Sequence, residues 1–281
     1  MIQIGLRAHD FGRNTPEALA VTLAQYKPAA IQLALTKAFT GSPGLGGLSP
    51  GYARGIYRIF AKRDISIAVL GCYINPVHPD SDERERMLTR FEEHLRYVRD
   101  FGCAVVGTET GSCNADCSFH PDTAKPETFD LFCSSLERLL KTAEKCGSIV
   151  GIEPVADQHT ICSIELMEQL LRRFESPSLK VIYDPVNLIP KAGLEESQES
   201  FFKRAFEAFG NHIAAVHLKD FRMEGGNKIG DLPTGTGSLD YRSLLKLISE
   251  KKDGVDLLLE NNGPQFFAAS SAFIREALPR I

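Results

Sequence analysis

The sequence predicts a single closed (β/α)8 barrel, an α/β fold, and three observations predict it. Eight short apolar runs alternate with eight helical stretches; no linker, low-complexity tract or composition break interrupts them; and the polar, irregular segments follow the apolar runs. Short apolar runs interleaved with helices read as buried parallel strands of successive βα units. Eight such units close a barrel, and barrels of this kind commonly run as one domain at 281 residues, so residues 1–281 are expected to form one domain.

The strands are expected near 2–8, 30–35, 65–72, 103–108, 148–153, 179–184, 213–218 and 255–260. Helices are expected near 16–27, 50–63, 82–101, 126–145, 163–174, 196–209, 239–251 and 264–278. Thr15-Pro16, Ser49-Pro50, Ser81-Asp82 and Ser238 supply helix starts, and Gly102, Gly147 and Gly254 supply stops. Phe201, Phe202, Phe206 and Phe209 recur at helical spacing and read as core residues or, in a homo-oligomer, subunit contacts.

The segments after the strands are the expected binding loops: His9 to Gly12, Thr36 to Gly47, Tyr73 to His78, Glu109 to Ser112, Pro154 to Thr160, Asn187 to Leu194 and Lys219 to Gly237. The Gly-rich tract Ala38 to Gly47 lacks the strand-Gly-x-Gly-x-x-Gly-helix order of a phosphate cradle and reads as a flexible rim or lid loop.

Four acid or imidazole side chains stand at or just beyond the ends of the last four strands. They are Glu153, Asp184, His217 and Glu260, separated by 31, 33 and 43 residues. In a barrel the C-terminal strand ends converge on one mouth, so these four groups meet there. Three crowded carboxylates repel unless a cation neutralises them, which makes a shared divalent metal with oxygen and nitrogen ligands the simplest explanation. A single such residue would more simply be a cap or an ion-pair partner; four in consecutive units point to a site.

Charge and composition exclude other classes. A net charge of −4 and a pI near 6.0 give no global attraction to phosphate backbones, which disfavours nucleic acid as a partner. No run approaches a membrane span and the N-terminus lacks a signal-like segment, so a soluble cytoplasmic protein is expected. Seven scattered cysteines do not form a secreted disulfide framework. The spacing Cys113-x-x-x-Cys117-x-x-His120 lacks a fourth obvious ligand and reads as an ordinary loop.

The order Glu, Asp, His, Glu on the fifth to eighth strands, the tract Val216-His217-Leu218-Lys219-Asp220 and the later Thr234-Gly-Thr-Gly-Ser-Leu-Asp-Tyr241 together resemble the xylose isomerase-like TIM barrel superfamily. That superfamily includes ketose 3-epimerases, hydroxypyruvate isomerase, inosose dehydratase and endonuclease IV. The resemblance covers the whole chain in element order, with its specific motifs in residues 148–262. It implies one divalent metal (manganese first; cobalt, magnesium or zinc as alternatives) held by Glu153, Asp184, His217 and Glu260. It also implies that Glu153 and Glu260 act as an acid/base pair on a sugar or polyol substrate.

A metal that polarises a carbonyl lowers the pKa of the neighbouring C–H, and two Glu on opposing strands can handle protons on opposite substrate faces. That suits an enediolate route to isomerisation or epimerisation, with elimination from an inosose or 3-oxo sugar as the alternative outcome. A barrel that binds sugar without turnover is a third reading.

The sequence departs from the resembling epimerases in two places. Asn187 stands where they carry a His three residues after the Asp ligand, and His159 stands where they carry a Glu six residues after the first Glu ligand. An amide cannot carry a proton, so Asn187 is expected to bind a sugar hydroxyl. Endonuclease IV fits less well, because His9, His78, Glu109 and His120 do not fall in the spacing of its trinuclear zinc site. Further expected substrate contacts are His159, Glu109, Lys219, Arg222, His9 and His78.

Overall fold

The computed structural model describes residues 2–279. Ten strands occur among them: β1 (Ile2–Arg7), β2 (Ala30–Ala34), β3 (Ser66–Gly71), β4 (Val105–Glu109), β5 (Ile149–Glu153), β6 (Leu179–Tyr183), β7 (Ile213–Leu218), β8 (Asp220–Glu224), β9 (Asn227–Leu232) and β10 (Val255–Leu259). Eight of them pair in parallel into a closed barrel in the order β1-β10-β7-β6-β5-β4-β3-β2, with β1 and β2 closing the ring. The remaining two form an antiparallel hairpin. Each barrel strand falls within two residues of its expected bounds.

Two shells of apolar packing hold the barrel. The larger lies between strands and helices, where β2 is buried along its whole length, as a strand covered on both faces must be. The smaller fills the interior with Val69, Val105, Ile182, Ala215 and Leu258. Room for Ile182 comes from two glycines that pair across β4 and β5. A Cβ at Gly107 would meet Ile182 Cδ1 at 2.6 Å, and one at Gly151 would meet it at 3.1 Å.

The helices follow the expected order, with differences at their ends. Thr15 and Ser49 cap their helices by accepting from Ala18 N and Tyr52 N. Helix 81–97 is instead capped by Asp80, one residue before Ser81, whose carboxylate accepts from both Asp82 N and Glu83 N. Asp240 rather than Ser238 caps the helix at 241–251, accepting from Ser243 N. Gly102 and Gly147 stop their segments with positive φ, as expected, whereas the 241–251 helix ends at Lys251 without using Gly254. Phe201, Phe202, Phe206 and Phe209 are all buried in the core. No helix among the described residues is long and apolar enough to cross a membrane.

Two expected loops prove more ordered than irregular. In the Gly-rich tract, the buried Glu93 carboxylate accepts from Gly46 N at 3.1 Å and Leu48 N at 2.9 Å. A carboxylate from the chain therefore holds these amides at the end of the tract read as a flexible rim or lid loop. The segment from Lys219 to Gly237 carries β8 and β9, joined by Gly225-Gly226 with both φ positive, the geometry of a two-residue type I′ turn. All seven cysteines are free, and residues 113–120 form an ordinary loop.

Candidate metal centre

Glu153 is the last residue of β5, Asp184 follows β6 directly, His217 lies one residue before the end of β7, and Glu260 follows β10. Strand ends of a barrel converge on one face, so the chain geometry brings all four together there. Glu153, Asp184 and His217 each offer a buried donor atom within 4.8 Å of the others, a group that could hold a metal ion. Glu260 stands beside this group, its Oε1 3.5 Å from His217 Nδ1, but outside it.

The donors are poorly satisfied by the protein itself. Both His217 ring nitrogens and Asp184 Oδ2 are buried without an aligned hydrogen bond. His217 Nδ1 lies 3.2 Å from Glu153 Oε2 and Lys219 Nζ 3.2 Å from Asp184 Oδ2; both are charge contacts rather than directed bonds. Buried polar atoms left without partners are costly. One imidazole and two carboxylates are hard-to-borderline donors that suit a divalent cation, so the residues present fit such an ion.

Neighbouring side chains orient this group. The Asn187 side-chain amide donates to Glu153 Oε1 at 2.7 Å, and the Asn187 backbone N–H donates to Asp184 Oδ1 at 3.0 Å. Asn187 therefore positions two of the three donors. Glu260 is held by Arg7, whose Nη1 donates to Oε1 at 2.9 Å, and by Lys219, whose Nζ donates to Oε2 at 3.3 Å. Arg7 is itself fixed by Asp10 and Asn261.

The tract from Thr234 to Tyr241 acts through Lys219. The Asp220 carboxylate accepts from the backbone N–H groups of Gly235, Gly237 and Leu239, at 3.1, 2.8 and 2.9 Å. A Cβ at Gly237 would stand 2.2 Å from Phe221 O, so only glycine fits there. The loop so folded lets Tyr241 Oη donate to Lys219 O and Thr234 Oγ1 to Leu218 O, both at 2.8 Å, which locks the backbone beside His217.

Charges at the mouth are strongly coupled. Burial would lower the His217 pKa, but Glu153 and Glu260 outweigh it and raise it to about 9. Burial pushes Asp184 up to about 6 against the pull of Lys219. Burial would raise Glu260 too, yet His217, Lys219 and Arg7 hold it well below the usual carboxylate range. Burial, with Glu153 and Glu260 nearby, pushes Glu109 up to about 7.

A polar cavity of about 290 Å³ opens over the donors, lined by Asn187, Lys219 and Glu260, which contact them, and by Glu109, His159 and Gln158. Glu109 Oε2 lies 3.7 Å from His159 Nε2, and burial lowers the His159 pKa to about 4, so its imidazole is neutral near pH 7. His9 lies edge-on to Tyr73 with ring centroids 6.4 Å apart, and burial together with Arg7 and Lys37 lowers its pKa to about 3.

Of the expected substrate contacts, His9, His78 and Arg222 do not line this cavity. His78 is buried where its Nδ1 accepts from Asp80 N at the start of helix 81–97, because its loop folds back onto that helix. Arg222 is exposed on β8 and pairs with its neighbour Glu224, while the paired strand β9 supplies Asp231 to the cavity instead. Seven residues of the cavity lining are not among the sequence candidates: Arg7, Lys37, Tyr73, Val155, Gln158, Asp231 and Asn261. Arg7 ends β1 as Glu109 ends β4, and that position is the signal that could have found it. Asp231 depends on the hairpin, which the Gly225-Gly226 pair between alternating residues announces.

Comparison with solved structures gives the same fold over nearly the whole chain. A D-tagatose 3-epimerase-like protein has a TM-score of 0.76 at 15% identity, covering 98% of this chain and 96% of that one. The 3-keto-D-glucoside 4-epimerase from E. coli has a TM-score of 0.73 at 14% identity, covering 98% and 100%. A xylose isomerase-like TIM barrel protein from Mycobacterium smegmatis, in complex with magnesium, has a TM-score of 0.73 at 15% identity, covering 98% and 96%. A comparison with curated proteins returned no match. The model of the xylose isomerase-like TIM barrel family matches residues 24–277, and the chain belongs to that family.

Proposed function

We propose that this protein is a divalent-metal-dependent sugar or polyol isomerase or epimerase that moves a proton next to a carbonyl through an enediolate. The observation that carries the reading is the buried donor group of Glu153, Asp184 and His217, with Asp184 and His217 atoms left unsatisfied, next to a polar cavity lined by Asn187, Lys219 and Glu260, which contact that group. The sugar epimerases among the structural neighbours support it. Glu153, Asp184 and His217 would hold the metal, with Glu260 beside them as a fourth ligand; manganese, cobalt, magnesium and zinc all suit these donors. When bound, the ion polarises the substrate carbonyl and makes the adjacent C–H more acidic.

The residues around it divide the remaining work. Glu153 and Glu260, on separate strands, take and return the proton. Arg7 and Lys219 keep Glu260 ionised, hence able to accept one. Glu109, with a pKa near 7, and the neutral His159 offer hydrogen bonds to substrate hydroxyls.

The test is a screen of ketoses, inososes and 3-oxo sugars against metal-free protein restored with each of the four metals, with product identity and solvent deuterium incorporation as readouts. Metal-dependent exchange at carbon with the formula conserved supports the reading, and loss of water or of a substituent would make the protein a lyase. Glu260→Gln should lower kcat by about a hundredfold or more with little change in substrate affinity. A near-native rate in that variant would remove Glu260 from proton transfer.

A further inference from the structure

A second cavity of about 530 Å³ opens beside the first and shares Val155, Gln158, Asn187 and Asp231 with it, so the two form one continuous cleft. Phe119 and Gly230 belong to the second part alone. Phe119 is 66% exposed, the highest value for a large apolar side chain among the described residues. A lone exposed aromatic is ordinary. This one sits on a fixed loop: Asn114 Nδ2 donates to Phe119 O at 2.9 Å, and Gln158 Nε2 donates to Cys117 O at 2.6 Å.

The charges lining this second part balance. Asp157 and Asp231 stand against Lys191 and Lys228. Lys228 spends its ammonium on the carbonyls of Val186 and Ile189, and Asp231 pairs with Lys219. Summed over the groove's own lining, the two acids and two lysines carry no net formal charge. The groove offers hydrogen-bonding groups and one aromatic face, which match the hydroxyls and the C–H face of a pyranose.

We propose that this groove is a subsite for a second, uncharged sugar ring. The preferred substrate is then a glycoside, with the ring that bears the carbonyl over the donor group and its neighbour against Phe119. The inference rests on the sugar isomerase or epimerase reading and names its substrate class. Gly230 provides a direct test. A Cβ there would meet only Val186 Cγ1 at 3.9 Å and Lys228 Cε at 4.0 Å, both of them groove residues, so a larger side chain would fill the groove without a backbone clash.

The experiment measures binding by calorimetry and C–H exchange in deuterated water by NMR, on manganese-loaded protein. The probes are D-fructose against maltulose, and methyl 3-oxo-glucoside against 3-oxo-cellobiose and phenyl 3-oxo-glucoside. In at least one pair the glycosylated member should bind about tenfold more tightly. Gly230→Leu should bring that ratio close to one while leaving the smaller probe's affinity within about twofold, and Phe119→Ala should also reduce it. Thermal melts of both variants check folding, and Phe119→Ala stands as the independent test should Gly230→Leu fold poorly.

Equal binding within every pair, preference for the phenyl glycoside, or a ratio that neither variant moves would overturn the subsite. If the smaller probes still exchange their C–H protons, only the subsite falls. If no probe binds or exchanges, the sugar isomerase reading fails and takes the subsite with it.

Discussion

Asp184 and His217 are fully buried, yet each carries an atom with no aligned partner, and this is where single substitutions should speak most clearly. Asp184→Asn keeps an oxygen to accept from the Asn187 N–H and removes the charge. It should weaken divalent metal binding by at least about tenfold while the metal-free protein remains folded; His217→Ala should abolish stoichiometric uptake. Elemental analysis after dialysis checks both, and full occupancy in both would refute the ligand assignment. His217 also sets a pH dependence. Its pKa is raised to about 9, so the proton it holds between Glu153 and Glu260 stabilises the metal-free fold fully below about 6.5, and that stabilisation is lost as pH rises through 9. Metal affinity runs the other way, because the ion must displace that proton. Affinity should rise by about tenfold per pH unit between 7 and 9, with close to one proton released at pH 7.5. Calorimetry in buffers of different ionisation enthalpy measures the release, and its absence would contradict a protonated His217.

Two elements carry structural conditions that the site depends on. The paired Gly107 and Gly151 leave the space that Ile182 fills inside the barrel, so Gly107→Ala overpacks that layer and should cost about 1–3 kcal/mol by denaturant unfolding. Asp220 folds the segment from Gly235 to Leu239 through three backbone N–H groups. Asp220→Ala strands those amides and loosens Lys219, so it should cost on the order of 3 kcal/mol and weaken the hold on Glu260. A variant as stable as the parent would mean that water replaces the carboxylate. The tract that resembles the family is thus structural at its Asp and glycines and reaches the site through Lys219.

At the scale of the molecule, metal and fold should be linked. An ion bound to the folded state alone stabilises by mass action, about 2.7 kcal/mol at a concentration one hundred times its Kd. Chelation should therefore lower the melting temperature by several degrees and restored metal should recover it. The gain on adding metal should grow from pH 6.5 to 9, since the proton that competes with it is progressively lost. A melt unchanged by verified metal removal would mean that the donor group binds no ion.

The sequence by itself determined the barrel, because a buried parallel strand must be an apolar run and a covering helix must repeat near 3.6 residues, and both periods stand plainly in the chain. It determined the positions of Glu153, Asp184, His217 and Glu260 as well, since a strand end in a closed barrel has only one face to point to. Tertiary structure decided what those positions mean. Arg7, itself held by Asn261, and Lys219 both clamp Glu260, and no local pattern encodes the Arg7 contact, which spans 253 residues. Asn187, which reads as a substrate contact, lines the cavity and in addition orients Glu153 and Asp184. His78 reads as a mouth residue and instead meets the start of a helix, because the direction of a side chain from a loop depends on what the loop packs against. The groove beside the site exists only because a hairpin of 13 residues, from Asp220 to Leu232, folds over toward a loop more than a hundred positions earlier.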